Sequence, residues 1–446
     1  MGRVTNTSNG DIEGDVRLQN AARAIVSVSE AIDADGPPLG MFEDLDIIAG
    51  RGYLTPDEDE LVRSRYALFL VRRAALLQAL EAMEELAGHS GRRWGRAPQA
   101  FVLALTAGLV LVRATRGWIE LAEACRPVRK LLDQSDSTRG IHRKTFADQY
   151  RATTRLHRLG LLRLARDHYL LHREDFGSVG EMPGMREVFE VLEECCGRPL
   201  VVLGFGAVLD RWRYRWFSFR RRHHSAWKFG EFTVFRWSGC LIADLRQPGV
   251  KPIHAPKRVG EDLRRRAIEA ARPGDVFVTR HDDALSNLFL PGFWPHAALY
   301  FGEAAREGEE DFLEARKDGV RFREAADTLQ VDAFVLLRPP LDTGDIATAL
   351  NRARAHAGKP YDFCFDFRRS DRLACTEVVY RGFHGVGGLQ FELVETSGRH
   401  CLPAEELIHQ ALEQGFKVVA AGGIGSSEWL AGLAAELALH RTRCGL

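Results

Sequence analysis

The chain has 446 residues, with 61 Lys+Arg against 61 Asp+Glu, 27% charged residues and 45% apolar ones. Those proportions exclude a disordered, collagenous or disulfide-scaffold chain, and a formal net charge of zero provides no global field to draw in nucleic acid. At this length core area is not limiting, and two or three domains are expected.

The eight cysteines (125, 195, 196, 240, 364, 375, 401 and 444) are scattered, without the paired spacing of a structural zinc site. The first residues, MGRVTNTSNGDIEGD, are polar and acidic and have no apolar signal-peptide core. Gly2 follows Met1, but Asn6 stands where a myristoylation signal needs Ser or Thr. Together these features point to a reducing, cytoplasmic setting, with no metal and no cofactor expected.

In chain order, residues 1 to 35 are polar and then weakly helical, and Gly36-Pro37-Pro38 ends that stretch. From Thr55 the pattern predicts one long helix ending at Gly88, with Thr55 as cap, Pro56 at the first helical position and acids in the first turn. The largely apolar run Ala97 to Val112, 16 residues long, falls short of the roughly 20 that span a bilayer and reads as a buried core helix. No transmembrane segment is expected. Helical patterns at 97–113, 117–133, 142–172 and 183–196 then make residues 1–198 an all-helical region.

After Arg198-Pro199 the texture changes to β-branched and aromatic runs bounded by Gly, Pro or charges: LVVLGF, KFGEFTVFRW, GDVFVTR, HAALYFGE, DFLEAR and AFVLLRP. Helical patterns return at about 343–357, 374–384, 403–415 and 427–440. The expected division is a helical region over 1–198, a strand-rich connector over 199–254, a third domain over 255–415 and a C-terminal strand and helix over 416–446.

Two segments of the connector invite a functional reading. GFGA at 204–207 follows an apolar strand, but the third glycine of a dinucleotide loop is missing, since Asp210 follows, and a tight turn is the better reading. Arg211 to Arg222 interleaves six arginines with Trp212, Tyr214, Trp216, Phe217 and Phe219. Such a mixture suits a strand with one buried and one solvated face. It also suits an anionic membrane surface or a phosphorylated substrate, because arginine pairs bidentately with phosphate and the aromatics sit at an interface.

The stretch Pro273 to Cys375 carries the chemistry. PGDVFVTRH opens it with a strand after a Pro-Gly-Asp turn, and in GFWPHAALYFG His296 begins a strand of otherwise apolar or aromatic residues. DFLEARKDGVRF then puts Glu314 on the next strand. A hairpin centred near residue 305 would set His296 and Glu314 opposite one another, close enough for a carboxylate to hold an imidazole nitrogen. Cys364, between Phe363 and Phe365, reads as a packed thiol. Cys375 instead opens the helical stretch CTEVVYRGF after a Ser370-Asp371 break, where the positive end of the helix dipole and unpaired N–H groups favour a thiolate.

The segments PGDVFVTR, WPHAALYFG, FLEARKDGV, GKPYDF and LACTEVVYRGF, in that order, resemble the circularly permuted papain-like hydrolases of the YiiX/YaeF type. These are relatives of the NlpC cell-wall peptidases and of lecithin:retinol acyltransferase. The resemblance spans roughly residues 255–415 and implies an α+β fold, with an antiparallel sheet or partial barrel packed on helices. It makes His296 the general base, Cys375 the nucleophile and Glu314 the polar residue that orients the imidazole. The implied activity is a cysteine hydrolase or acyltransferase that opens an amide, ester or thioester, of lipid or peptide origin, through an acyl-enzyme. The alternative is a vestigial hydrolase domain that binds anionic lipid or a partner protein through the helical and Arg-aromatic regions.

Overall fold

The computed structural model describes residues 7–88, 97–153, 156–182, 184–197, 256–282, 293–363, 365–396 and 399–444. They fall into two compact units, one helical and one α+β. The GFGA turn, the Arg211 to Arg222 segment, Cys240 and Cys364 lie outside the described residues.

The helical unit is built on Thr7–Asp35, Pro56–Gly88, Ala97–Ala124, Leu156–Leu171 and Arg186–Gly197. The helix over Pro56–Gly88 has the expected limits. The apolar run is the first half of a longer helix that continues to Ala124, and the chain turns at extended Cys125 into a short helix over Arg126–Leu132. Two helices thus occupy the 97–133 stretch as expected, but the break falls at Cys125 and not near residue 115. Pro127 explains the break, because it cannot continue the preceding helix yet fits the first turn of the next. Among the described residues, Pro98–Ala124 is the one helix long and apolar enough by length and composition to cross a membrane. Its Val102, Leu103, Ala107, Val110 and Leu121 are fully buried among the other helices.

The second unit is a seven-stranded antiparallel sheet in the order β4-β3-β2-β1-β5-β8-β9. Its strands are β1 (Val276–Arg280), β2 (His296–Tyr300), β3 (Phe312–Arg316), β4 (Gly319–Arg323), β5 (Ala333–Arg338), β8 (Lys417–Gly422) and β9 (Trp429–Ala431). A separate hairpin pairs β6 (Val394–Thr396) with β7 (Arg399–Cys401). The central strands are buried on both faces, which is why they read as continuous apolar runs without polar alternation. One face carries Val276, Val278, Leu299, Leu313 and Val335 against the helices Thr343–Arg354, Cys375–Phe383, Ala404–Glu413 and Leu433–Cys444. The other carries Phe277, Tyr300, Phe312 and Phe334 against the helix Glu261–Ala270, which has no counterpart in the sequence reading. β8 pairs with β5 inside the sheet, so residues 417–444 complete this unit. The 427–440 helix begins later than its pattern indicated, because Trp429–Ala431 adds the edge strand first.

The β3–β4 turn fixes the segment that lies beside the sheet. Gly319 has φ +104°, and a Cβ there would sit 2.6 Å from the Lys359 carbonyl oxygen. Its absence lets the chain at 358–362 approach: Val320 N–H donates to Lys359 O and Gly358 N–H to Val320 O, both at 2.8 Å. Farther along, Tyr361 bridges to Leu373. The β3–β4 hairpin, the 358–362 segment and the start of the Cys375–Phe383 helix are thereby stitched together.

Candidate active site

Cys375 is the first residue of its helix, with Ala374 as an extended N-cap. The helix forms here because Glu377, three residues into it, accepts the Ala374 N–H at 3.3 Å, and because Val378, Val379 and Phe383 bury against the sheet. All nine of its residues are buried. Glu377 also accepts from Arg381 Nε at 2.8 Å, and Arg381 donates onward to the Phe367 and Arg369 carbonyls. Burial pushes the Glu377 carboxyl up to about 8, against the pull of Arg381. The helix start thus has a rigid support beneath it.

His296 is the first residue of β2, which packs directly against that helix. Its approach is clamped from behind. The Phe293 and Trp294 N–H groups donate to Glu405 Oε1 at 2.6 and 3.0 Å, and the Trp294 indole donates to Thr442 at 3.1 Å. The next carbonyl, that of Pro295, lies 3.9 Å from the Cys375 sulfur.

His296 Nε2–H donates to Glu314 Oε2 at 2.5 Å. The two residues are not directly opposite, because the β2–β3 register pairs Leu299 with Leu313 and Tyr300 with Phe312. That register is centred one residue beyond the position expected from sequence, which makes His296 and Glu314 diagonal neighbours on one face. A diagonal pair lies within reach of a long carboxylate and a ring, so the contact survives the shift. With Nε2 committed to Glu314, Nδ1 is the nitrogen left for the sulfur, and the imidazole and thiol are hydrogen-bonded.

Glu314 is fully buried and is held from three further directions. Thr328 Oγ1 donates to Oε1 at 3.0 Å, Arg316 Nη2 lies 2.8 Å from the same oxygen, and Arg323 Nε approaches it to 3.4 Å. Burial alone would favour the neutral acid. The hydrogen bond and charge of His296, with Arg316 and Thr328, outweigh it and bring the carboxyl down to about 2.

The same balance governs the other two groups. Burial disfavours charged His296, but the Cys375 charge, its hydrogen bond and the Glu314 carboxylate raise the imidazole to about 9. Burial also opposes ionisation of Cys375. The imidazolium, its hydrogen bond and the N–H groups of Ala297 and Thr376 together hold the thiol below its ordinary range. The arrangement favours a thiolate–imidazolium pair with an anchored carboxylate behind it.

Tyr361 is a participant that sequence reasoning did not assign, although its GKPYDF segment stood out. Its hydroxyl is hydrogen-bonded to Cys375, and burial with the Cys375 and Asp362 charges pushes the phenol well above its usual range. The ring is flanked edge-on by Phe363 at 4.9 Å and Phe365 at 6.1 Å between centroids. Arg316 and Thr328 were missed as well. Arg316 could have been found from its place two residues after Glu314 on a strand, hence on the same face. Nothing in the sequence singles out Thr328. Among the described residues no cluster of His, Cys, Asp and Glu has the makings of a metal site.

Residues 270–421 match the family model of the permuted papain-like amidase enzymes, YaeF/YiiX, C92 family. The matched segment is roughly one third of the chain, and His296, Glu314, Tyr361 and Cys375 all lie inside it. It runs from the end of the helix Glu261–Ala270 to β8, so the α+β unit has the papain-like architecture, with its antiparallel sheet packed on helices. No curated protein and no solved structure matches the chain.

Proposed function

We propose that the permuted papain-like domain is a cysteine hydrolase that works through an acyl-enzyme on Cys375, with His296 as general base and acid and Glu314 as the residue that orients the imidazole. The observation that carries this reading is the unbroken hydrogen-bonded line from the Cys375 thiol through His296 to buried Glu314, at the start of a helix. A thiolate there attacks an amide, ester or thioester carbonyl, and the carbon–sulfur bond forms as the carbonyl π electrons move onto oxygen. The first-turn N–H groups, which have no acceptor inside the helix, and the Tyr361 hydroxyl are the donors available to that oxyanion. The imidazolium then protonates the leaving group as its bond to carbon breaks. Water, deprotonated by the neutral imidazole, resolves the thioester and returns the sulfur to thiolate.

Among acyl donors an amide fits best. Its amine leaving group must be protonated as it departs, and the imidazolium of the resting ion pair already carries that proton when the sulfur attacks. The test is labelling of the full chain with an acyl-type thiol electrophile, followed by peptide mapping and by assay of amide and ester substrates of both peptide and lipid type. The expected result is stoichiometric modification of Cys375, lost in His296→Ala. Modification centred on another cysteine, with Cys375 inert at neutral pH, overturns the reading.

A further inference from the structure

The segment 361–367, YDFCFDF, has an aromatic residue at every second position. Phe367 is buried in the core of the α+β unit, whereas Tyr361, Phe363 and Phe365 keep part of their surface in solvent. The Tyr361 hydroxyl is hydrogen-bonded to the Cys375 sulfur, and the Phe363 and Phe365 rings stand 4.9 and 6.1 Å from the Tyr361 ring. A partly exposed aromatic wall therefore begins at the nucleophile itself.

The backbone beneath this wall holds it in place. The carboxylate of fully buried Asp362 accepts the Asp366 N–H at 2.8 Å, the Asp362 carbonyl accepts the Phe365 N–H at 3.3 Å, and the Phe367 N–H donates to the His400 carbonyl at 2.9 Å. Within that turn Phe365 has φ +50°. Glycine adopts such a backbone freely, whereas a bulky residue does so at a cost and only where its surroundings over-determine it. An aromatic ring is thus kept beside the site against its backbone preference.

The charges that follow on the same segment are turned onto one another. Arg368 donates twice to the Asp366 carboxylate, at 2.6 and 2.7 Å, and Arg369 twice to Asp371, at 3.1 and 2.8 Å. What Tyr361, Phe363 and Phe365 offer a substrate is ring surface. Such a surface favours an apolar group and gives a charged one nothing to offset its lost hydration. The leaving group must face His296, which protonates it, so the group that meets this wall is the one on the acyl side of the scissile carbonyl.

We propose that Tyr361, Phe363 and Phe365 form an acyl-side subsite, and that the substrate carries an uncharged apolar group, an aromatic ring or an alkyl chain, next to its scissile carbonyl. The subsite rests on the acyl-enzyme chemistry proposed for Cys375 and adds a substrate class to it.

The p-nitrophenyl esters of acetate, hexanoate, hydrocinnamate and succinate share one leaving group and differ only in the acyl group. The reading is the p-nitrophenolate burst that the full chain gives and Cys375→Ser lacks, each rate divided by that of N-acetylcysteine. Hexanoate and hydrocinnamate should acylate Cys375 at least about tenfold faster than acetate, and succinate no faster than acetate. A lead for hydrocinnamate identifies an aromatic residue of a peptide as the source of the group, and a lead for hexanoate a fatty chain. Phe363→Ser should cut the advantage of both over acetate by about fivefold or more. A Cys375 burst of equal rate along the series, or a preference for succinate, overturns the subsite and leaves the cysteine chemistry standing. No acylation of Cys375 by any of the esters overturns both. An advantage that survives in folded Phe363→Ser also overturns the subsite, since the apolar group would then lie elsewhere. Should Phe363→Ser fail to fold, the acyl series on the wild type still decides.

Discussion

Replacing Glu314 with Gln probes the ion pair without disturbing its shape. The side chain is fully buried, bonds His296 Nε2 at 2.5 Å and also holds Arg316 and Thr328, so the change removes one charge at the centre of a dry network. A carboxyl brought from 4.5 to about 2 stabilises the fold by on the order of 3 kcal/mol at neutral pH, which agrees with the cost of about 3–5 kcal/mol for breaking a buried charged pair by removing one partner. Because the folded carboxyl titrates below its unfolded value, that contribution is complete above about pH 4.5 and is lost as pH falls through about 2. His296 has the opposite sign: raised from 6.5 to about 9, its contribution is complete below about 6.5 and is lost as pH rises through about 9. Without Glu314 the imidazole should come down by roughly one to three pH units, and the Cys375 thiol should rise as its cationic partner weakens. Alkylation of Cys375 by iodoacetamide from about pH 4 to about pH 10 reads both groups without a substrate. The wild type should alkylate on the acid side of the ordinary thiol range, with a further change near pH 9 as the imidazolium loses its proton. Glu314→Gln should lose the acid-side reactivity and unfold at lower temperature. Superimposable profiles for the two proteins would refute the claim that Glu314 sustains the ion pair.

Cys375→Ser should abolish electrophile labelling, whereas Cys401→Ser should leave it intact; peptide mapping of the labelled chain distinguishes them. Tyr361→Phe keeps the ring between Phe363 and Phe365 but removes the hydroxyl at the sulfur, so kcat/KM should fall by about tenfold or more with little change in thermal stability. Gly319→Ala should destabilise the domain by about 1–3 kcal/mol in denaturant titration, because its left-handed backbone and the Lys359 carbonyl 2.6 Å from the new Cβ both oppose a side chain. Arg381→Met should destabilise the domain most in alkaline denaturant titrations, as pH rises above about 8 and the buried Glu377 carboxyl must ionise without its partner, and by less at neutral and acid pH, where that carboxyl is protonated.

Much of the α+β unit was legible because its elements carry strong local signals. β1, β2, β3 and β5 are short apolar runs bounded by Gly, Pro or charges, and Cys375 follows a polar break at the head of an amphipathic helix. The helix Glu261–Ala270 was missed because it buries only Leu263 and Ala267, leaving too few apolar positions to declare a period. The contacts that complete the site are long-range, and no local pattern encodes them. Tyr361 reaches the sulfur because Gly319 admits the 358–362 backbone and because Tyr361 bridges to Leu373; Thr328 reaches Glu314 from a short turn on the other face of the sheet. The one-residue error in the hairpin centre is local in origin, since the turn between β2 and β3 contains a short helical segment, Gly302–Ala304, that a charged loop does not announce.

The order of histidine before cysteine in this chain has a simple geometric consequence. What a thiol acyl-transfer site requires is a sulfur at a helix start, an imidazole facing it from a strand that packs on that helix, and a carboxylate on the next strand. Here β2 supplies His296 and β3 supplies Glu314 well before the helix that supplies Cys375, yet β2 packs directly on that helix and the hydrogen-bonded line is continuous. The chain can reach this arrangement in either order because the sheet is antiparallel: β2 and β3 close as a local hairpin, while β5 and the helix Thr343–Arg354 carry the chain round to the Cys375 helix. His296 and Cys375 each begin their element, at positions where local backbone hydrogen bonding is incomplete and polar side chains are tolerated. The carboxylate is different, because Glu314 lies inside a strand and is fully buried there. Its four partners, His296, Arg316, Arg323 and Thr328, compensate the charge buried at that position.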